Sequence, residues 1–281
     1  MKKLVVSKDA GGAILLSSYL NLNKLKFDAC LEEPAKNIFK KKFKKINLIN
    51  YKNILKNIQH YDEALIGTGV KKFEIKVLNA IKDRIMTKSF VDHWCFYKER
   101  FLFNRKKYIF PDKIVAHDHY SKKELKKKFP HQKVILIQNP FWKEQIKKYR
   151  PRKNTKSSNT ILLLISSLKE KDFNKKTVNI FLKNLKKKKF NGFIIIRPHP
   201  LDIKKNFIKI FPYLRFLKFK ISKNNDIGKD ISLSKNIIGF KTSSLVLAKM
   251  FKKDVYSFHK KKLLKVSIPH CSIKHIDKIK F

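Results

Sequence analysis

The chain has 281 residues, of which 43% are hydrophobic, so it is long enough for two domains and too apolar to be intrinsically disordered. Its formal net charge of +47 normally suggests nucleic acid or an anionic membrane as a partner. The basic residues, however, are mostly lysines spread from Lys2 to Lys280, which is also the pattern of AT-rich codon usage. Because no nucleic-acid-binding motif is present, these features argue against a nucleic-acid-binding protein.

The cysteines Cys30, Cys95 and Cys271 have neither zinc nor disulfide spacing, which indicates a reducing compartment. No apolar stretch approaches the roughly 20 residues of a membrane span, and the first residues do not resemble a signal peptide. We therefore expect a cytoplasmic protein, with a peripheral position at the inner membrane as an alternative that the basic charge would favour.

In the first half, apolar runs typical of parallel strands alternate with helical patterns. The predicted strands are Leu4–Ser7, Phe27–Leu31, Ile46–Ile49, Ala64–Ile66, Arg84–Phe90, Lys113–Ala116 and Val134–Ile137. The predicted helices are Ala13–Leu22, Pro34–Phe43, Ile54–Gln59, Lys72–Lys82 and Ser121–Phe129. Ser121 is the expected N-cap of the last helix, since Glu124 follows at the spacing of a capping box.

Residues 150–159 lose their apolar character and form the best candidate for a linker. The alternation then restarts. The predicted strands are Thr160–Leu168, Phe193–Arg197, Leu214–Ile221, Ile237–Phe240 and Val255–Phe258. The predicted helices are Phe173–Lys187, Lys204–Phe211, Ile227–Ser234 and Ser243–Lys252.

Strands that alternate with helices indicate parallel sheets with right-handed crossovers. The predicted fold is α/β, with two Rossmann-like domains facing each other across a cleft. Residues 1–149 would form the first domain and residues 160–281 the second. Leu163 and Ile195 are expected to be fully buried.

A histidine between two prolines follows a strand of the second domain, in Arg197-Pro198-His199-Pro200. The prolines fix the backbone and end the strand. His199 could donate a hydrogen bond to a phosphate or act as a general acid, and Arg197 could pair with a phosphate. The alternative is a turn histidine without a ligand.

Three hydroxyl side chains, Thr242-Ser243-Ser244, stand at the start of a helix that follows another strand. Hydroxyls and free backbone N–H groups at a helix start can bind phosphate. The alternative is that these residues only cap the helix. Because ligands of open α/β sheets bind at the carboxyl ends of the strands, the two motifs together favour an anion site.

A His-Pro turn followed some forty residues later by Ser-Ser at a helix start resembles GT-B glycosyltransferases with cytidine-activated donors. These include bacterial polysialyltransferases, capsule Kdo transferases and polyol-phosphate transferases. The resemblance implies that His199, Pro200, Ser243 and Ser244 hold the phosphate of a nucleotide-sugar donor. It also implies a glycan or glycolipid acceptor at the bacterial cell surface.

The same families carry an acidic general base in the first domain, often on an early glycine-containing loop. Asp9, followed by Ala10-Gly11-Gly12, is the candidate that this resemblance implies. The chain lacks the paired acids of the polysialyltransferase motif, and Asp9 could instead cap the following helix. Thr68, between Gly67 and Gly69, is a second candidate residue of the cleft.

The densest polar and aromatic cluster is Asp92-His93-Trp94, followed by Tyr97-Lys98-Glu99-Arg100. An aspartate next to a histidine suits acid–base chemistry, and an exposed Trp94 could stack on a sugar. The segment is similar to ones in bacterial surface-polysaccharide transferases of GT-B type. Asp92 and His93 are therefore further catalytic candidates, with Glu99 and Arg100 as candidate acceptor contacts.

No Asp-x-Asp motif and no convincing metal spacing occur, so we predict no metal and no cofactor. The sequence thus predicts a metal-independent glycosyltransferase. Three alternatives remain open: a UDP-sugar 2-epimerase-like enzyme of the same fold, a basic nucleic-acid-binding protein, and a degenerate, non-catalytic GT-B module that only binds glycan.

Overall fold

The computed structural model describes residues 2–69, 72–104, 107–149, 159–168, 174–224, 226–260, 264, 268–270 and 272–279. The chain divides into two compact units, Met1–Glu144 and Gln145–Phe281. The proposed linker lies outside the described residues except for Asn159.

The first unit is built on a parallel sheet. Its described strands are β1 (Lys3–Ser7), β2 (Phe27–Leu31), β3 (Asn47–Leu48), β4 (Glu63–Gly67), β5 (Met86–Val91), β6 (Leu102–Phe103), β7 (Lys107–Tyr108), β8 (Lys113–Ala116) and β9 (Val134–Leu136). The parallel sheet has the order β3-β2-β1-β4-β5-β8-β9, and β6 and β7 form a separate antiparallel pair.

Helices cover both faces of this sheet. They are α1 (Ala10–Asn23), α2 (Ala35–Lys42), α3 (Tyr51–Asn57), α4 (Phe73–Ile81), α5 (Tyr97–Phe101) and α6 (His119–Lys128), with a 3-10 turn at Ile58–His60. Successive side chains of β1 enter opposite cores: Leu4 and Val6 pack on one face, and Val5 packs on the other. Burial on both faces explains why the central residues of β1, Leu4 to Val6, are all apolar. Helix α7 (Pro140–Tyr149) contains the division between the units.

The second unit repeats the pattern. Its described strands are β10 (Thr160–Leu164), β11 (Phe193–Arg197), β12 (Phe219–Ile221), β13 (Asn236–Gly239), β14 (Asp254–Ser257) and β15 (Lys274–His275), and they form one parallel sheet in the order β12-β11-β10-β13-β14-β15. Its helices are α8 (Lys175–Lys187), α9 (Phe207–Ile210), α10 (Ile227–Ser232) and α11 (Ser243–Met250), with 3-10 turns at Pro200–Asp202, Pro212–Phe216 and Ile276–Lys278. Leu163 and Ile195 are buried, as predicted. The predicted α/β class with two Rossmann-like domains is confirmed.

The first part of the predicted strand Leu214–Ile221 belongs instead to the 3-10 turn Pro212–Phe216, from which Leu214 packs into the core, and β12 begins only at Phe219. The predicted N-cap of α6 was also wrong. Helix α6 begins two residues before Ser121, and its N-cap is Asp118. The Asp118 carboxylate accepts a hydrogen bond from the Ser121 N–H at 2.7 Å, and the Ser121 hydroxyl accepts one from the Asp118 N–H at 3.4 Å.

Candidate functional site

The two motifs of the second unit lie at the same edge of its sheet. The His199 turn follows β11 and the Thr242–Ser244 segment follows β13, and both strands pair with β10. All three strands are parallel, so their carboxyl ends share one edge, and two strand spacings amount to roughly 10 Å. His199, Ser243 and Ser244 are all half-buried. The motifs therefore flank the carboxyl end of the central strand.

Thr242 shapes the start of α11. It is the N-cap residue, and its hydroxyl accepts a hydrogen bond from the Ser244 N–H at 3.3 Å. The cap orients the first turn, whose N–H groups and positive dipole end lie at the carboxyl edge of the sheet. Capping and anion binding are thus compatible at this helix start.

Arg197 is held within its own unit. Its Nη1 donates to the Asp230 carboxylate at 2.6 Å and to the Asn224 carbonyl at 2.9 Å. Asp230 is fully buried and also accepts a hydrogen bond from the Ser222 hydroxyl at 2.6 Å. This network anchors the end of β11, directly before the His199 turn. The Arg197 guanidinium, predicted to contact the nucleotide-sugar donor, thus also holds the end of its own strand.

Two serines at this edge were not among the predicted site residues. The predicted strand ran to Leu168, whereas β10 ends at Leu164. Ser166 and Ser167 therefore lie in the loop between the two motifs. Asp202, a buried residue after the His199 turn, accepts a hydrogen bond from the Leu168 N–H at 2.9 Å and ties this loop to the turn. The pair Ser166-Ser167, directly after an apolar run, was the sequence signal that could have identified this loop as part of the site.

In the first unit, Asp92 is fixed at the carboxyl end of β5. Its Oδ1 accepts a hydrogen bond from Arg100 Nη1 at 2.6 Å, and its Oδ2 lies against Gly11, where a Cβ would overlap the carboxylate. Gly11 is in the first turn of α1, so the glycine makes room for the acid. Arg100 also donates to the Thr68 carbonyl, to the Thr68 hydroxyl at 3.1 Å and to the Cys95 carbonyl at 3.3 Å.

Gly12 and Thr68 have packing roles beside this acid. A Cβ at Gly12 would lie 3.2 Å from the Cα of Gly67, so α1 approaches β4 closely. Thr68 is buried and donates its hydroxyl proton to the Phe90 carbonyl at 2.8 Å. The structure thus brings Asp92, Arg100, Thr68 and Gly11 together, whereas Glu99 is exposed on α5.

Asp9 lies at the N-cap position of α1, but its side chain makes no capping hydrogen bond. Its carboxylate lies against Gly69 instead. The backbone of its loop is held by Glu74, whose Oε1 accepts from the N–H groups of Lys8 at 2.7 Å and Asp9 at 3.1 Å. Burial raises the pKa of Glu74 despite these hydrogen bonds. No sequence motif pointed to Glu74, which lies 65 residues from Asp9.

Trp94 is buried, whereas we predicted an exposed ring on which a sugar could stack. It is 6% exposed, its Nε1 donates to the Asp118 carboxylate at 2.7 Å, and its ring packs against those of His117 and Trp142. Burial lowers the pKa of His117, whose Nδ1 is 2.9 Å from the Val91 carbonyl oxygen. The imidazole of His93 is half-buried, and its Nδ1 is 3.1 Å from the Cys95 sulfur. Trp94 therefore stabilises the segment that carries Asp92 and His93.

Among the residues that the structure describes, no group of three or more His, Cys, Asp or Glu side chains is arranged to hold a metal ion. Within the same residues, no helix has both the length and the apolar character that a membrane crossing requires.

The chain is an α/β protein with two parallel Rossmann-like sheets, and each sheet has polar side chains at its carboxyl edge. In open α/β proteins, this edge is where ligands bind.

Among solved structures, the chain is similar to the UDP-GlcNAc 2-epimerase of Methanocaldococcus jannaschii, with a TM-score of 0.65, 14% identity and coverage of 95% of this chain and 86% of that chain. No family model matches the sequence, and no curated protein matches it.

The chain is also similar to two more solved structures of UDP-GlcNAc 2-epimerases. The UDP-GlcNAc 2-epimerase of Rickettsia bellii has a TM-score of 0.62 and 15% identity, and the match covers 92% of this chain and 79% of that chain. The enzyme of Neisseria meningitidis, bound to UDP-GlcNAc, has a TM-score of 0.60 and 15% identity, with coverage of 93% and 83%. At these identities the comparisons bear on the fold alone, and they agree with the predicted α/β class with two Rossmann-like domains.

Proposed function

We propose that this protein is a glycosyltransferase that binds a nucleotide-activated sugar at the carboxyl edge of the second sheet. One observation carries the proposal: the His199 turn and the start of α11 flank the same strand end, β10, in one parallel sheet. The N–H groups of a helix start and an imidazole suit the phosphate of a nucleotide. The fold, shared with enzymes whose names include UDP-GlcNAc, supports a sugar nucleotide as the ligand.

In this proposal, His199 and the first turn of α11 stabilise the negative charge that develops on the leaving phosphate. Ser243 and Ser244 add hydroxyl donors, and Pro200 keeps the His199 turn rigid. Arg197 acts indirectly, because its ion pair with Asp230 holds the strand end from which the turn starts.

The first unit would supply the base. Asp92 is the stronger candidate. Arg100 donates a hydrogen bond to its Oδ1, so Oδ2, beside Gly11, would take the proton of an acceptor hydroxyl. Asp9 is the alternative, on a loop that Glu74 holds. The proposed acceptor is a glycan or glycolipid of the bacterial cell surface.

A second candidate function, 2-epimerisation of a UDP-sugar, is favoured by the structural likeness to the epimerases. The products separate the two. A transferase gives free nucleotide and a glycosylated acceptor, whereas an epimerase gives a nucleotide sugar with the configuration at C2 inverted. Mass spectrometry and proton NMR of the reaction mixture distinguish these outcomes.

The first experiment is a thermal-shift screen with CMP, CDP, UDP and GDP. A ligand that binds only the native state raises its stability, so at 100 times its dissociation constant we expect about 2.7 kcal/mol of stabilisation, visible as a rise in Tm. A rise with cytidine nucleotides supports a CMP-sugar donor, and a rise with UDP alone favours the epimerase. If no nucleotide shifts Tm while RNA binds with a steep salt dependence, the protein is a nucleic-acid-binding protein instead.

A further inference from the structure

The first unit carries its exposed positive charge mainly at one edge of its sheet. Because the helices α1, α2, α3 and α6 run back against parallel strands, their last turns meet the amino ends of those strands. Exposed cations at these helix ends and at the chain segments before the strands are Lys24, Lys26, Lys40, Lys41, Lys44, Lys45, Lys56, Arg84, Lys126, Lys127, Lys128 and Lys133. We call this set the amino-edge cations.

The acids at this edge offset little of that charge. Asp28 is buried and accepts hydrogen bonds from Tyr61 at 2.8 Å and Asn47 at 2.9 Å, besides its ion pair with Lys2. Glu63 is bridged by Lys3 at 3.1 Å and Lys88 at 2.6 Å. The exposed acids at this edge are Asp62, Asp83 and Asp112. Cations therefore dominate the exposed surface here.

The opposite edge of the same sheet carries fewer exposed cations. Asp9, Glu32, Glu33, Asp92 and Asp118 follow strands there, with Glu32 paired to Lys8 and Asp92 to Arg100. The exposed lysines near the helix starts are Lys52, Lys72, Lys98, Lys123 and Lys143. The amino edge is thus the more basic of the two, and the proposed base Asp92 lies at the other.

Exposed apolar side chains stand among the amino-edge cations. Leu22 is in the last turn of α1, Met86 begins β5, and Tyr108 in β7 packs against Phe129, the residue that ends α6. These three side chains are 39–42% exposed. Lysines mixed with exposed apolar and aromatic side chains are typical of surfaces that lie at the headgroup region of a membrane.

We propose that the amino edge of the first sheet docks on an anionic lipid bilayer. The sheet has seven strands, so this edge extends for about six strand spacings, or roughly 29 Å, and the cations are spread along it. The cations are lysines with one exception, Arg84. Lysine acts as a hydrated point charge, whereas phosphate recognition in nucleic acids favours the planar fork of arginine. Docking in this way would turn Asp92 and the carboxyl edge away from the lipid.

The test is co-sedimentation of the full chain with vesicles of phosphatidylcholine, with and without phosphatidylglycerol. We expect binding only to the anionic vesicles, weakened by added salt. Since a lysine near such a surface contributes about 1 kcal/mol, replacing Lys40, Lys41, Lys126, Lys127 and Lys128 with serine should weaken vesicle binding at least about tenfold.

A matched variant removes the same charge elsewhere in the unit. It replaces exposed lysines near the starts of five helices, Lys52, Lys72, Lys98, Lys123 and Lys143, with serine. This variant should keep most of the vesicle binding. Equal loss in both variants would show that only net charge matters, and it would overturn the proposal. So would an absence of binding to anionic vesicles, or a preference for RNA in competition with them.

This inference does not depend on the proposed glycosyltransfer. Both variants leave the second unit unchanged, so each should show the same nucleotide-dependent Tm shift as the wild type. A failed nucleotide screen together with edge-specific vesicle binding would remove the proposed function and leave the docking surface standing.

Discussion

Replacing His199 with alanine is expected to lower the rate of sugar transfer by about 10²–10³-fold, the usual cost of one donor that stabilises developing charge. The fold should survive, because His199 is half-buried in a turn whose neighbours Pro198 and Pro200 fix the backbone. The measurement is kcat for transfer, with circular dichroism and Tm as the tests of folding.

His131→Ala is the matched control, because His131 is an exposed histidine that precedes β9, at the edge of the first sheet opposite Asp92. Its kcat should equal that of the wild type. If the His199 variant kept near-normal turnover with an unchanged Tm, the imidazole would have no part in stabilising the leaving phosphate.

Asp92→Asn is expected to reduce kcat by about 10²–10⁴-fold, since general base catalysis contributes rate factors of this size. The amide keeps the shape of the side chain and can still accept a hydrogen bond from Arg100, but it cannot take a proton. The nucleotide-dependent Tm shift should be unaffected, because the nucleotide is proposed to bind the second unit. Transfer kinetics and thermal shift together separate a lost base from a lost ligand.

Asp9→Asn is the comparison that assigns the base. With Asp92 as the base, this second variant should lose much less activity. The reverse result, a large loss of activity for the Asp9 variant and a small one for the Asp92 variant, would make Asp9 the general base. Asp9 lies on the loop whose backbone Glu74 holds.

The fold was largely predictable because its strands are buried on both faces. Such strands form continuous apolar runs, and β11 has the same bounds as its prediction, Phe193–Arg197. Prediction was poorer where apolar residues are buried outside a strand, as at Leu214 in its 3-10 turn. Periodicity records burial, and over so few residues it does not distinguish a strand from a turn that packs on the core.

The candidate site was predictable only in its local motifs. The turn around His199 and the hydroxyls before α11 are recognisable because Pro, Thr and Ser have strong local preferences. The partners that support the site come from distant segments: Asp230 lies 33 residues from Arg197, and Glu74 lies 65 residues from Asp9. Only the folded chain reveals such pairs, just as it reveals that Trp94 is buried.

The most direct test of the account is a crystal structure of the protein with the nucleotide that gives the largest Tm shift. The account predicts the nucleotide phosphate within hydrogen-bonding distance of His199 and of the first turn of α11, beside the end of β10. A nucleotide bound at the first sheet instead, or a phosphate that touches neither His199 nor Ser243 and Ser244, would contradict it.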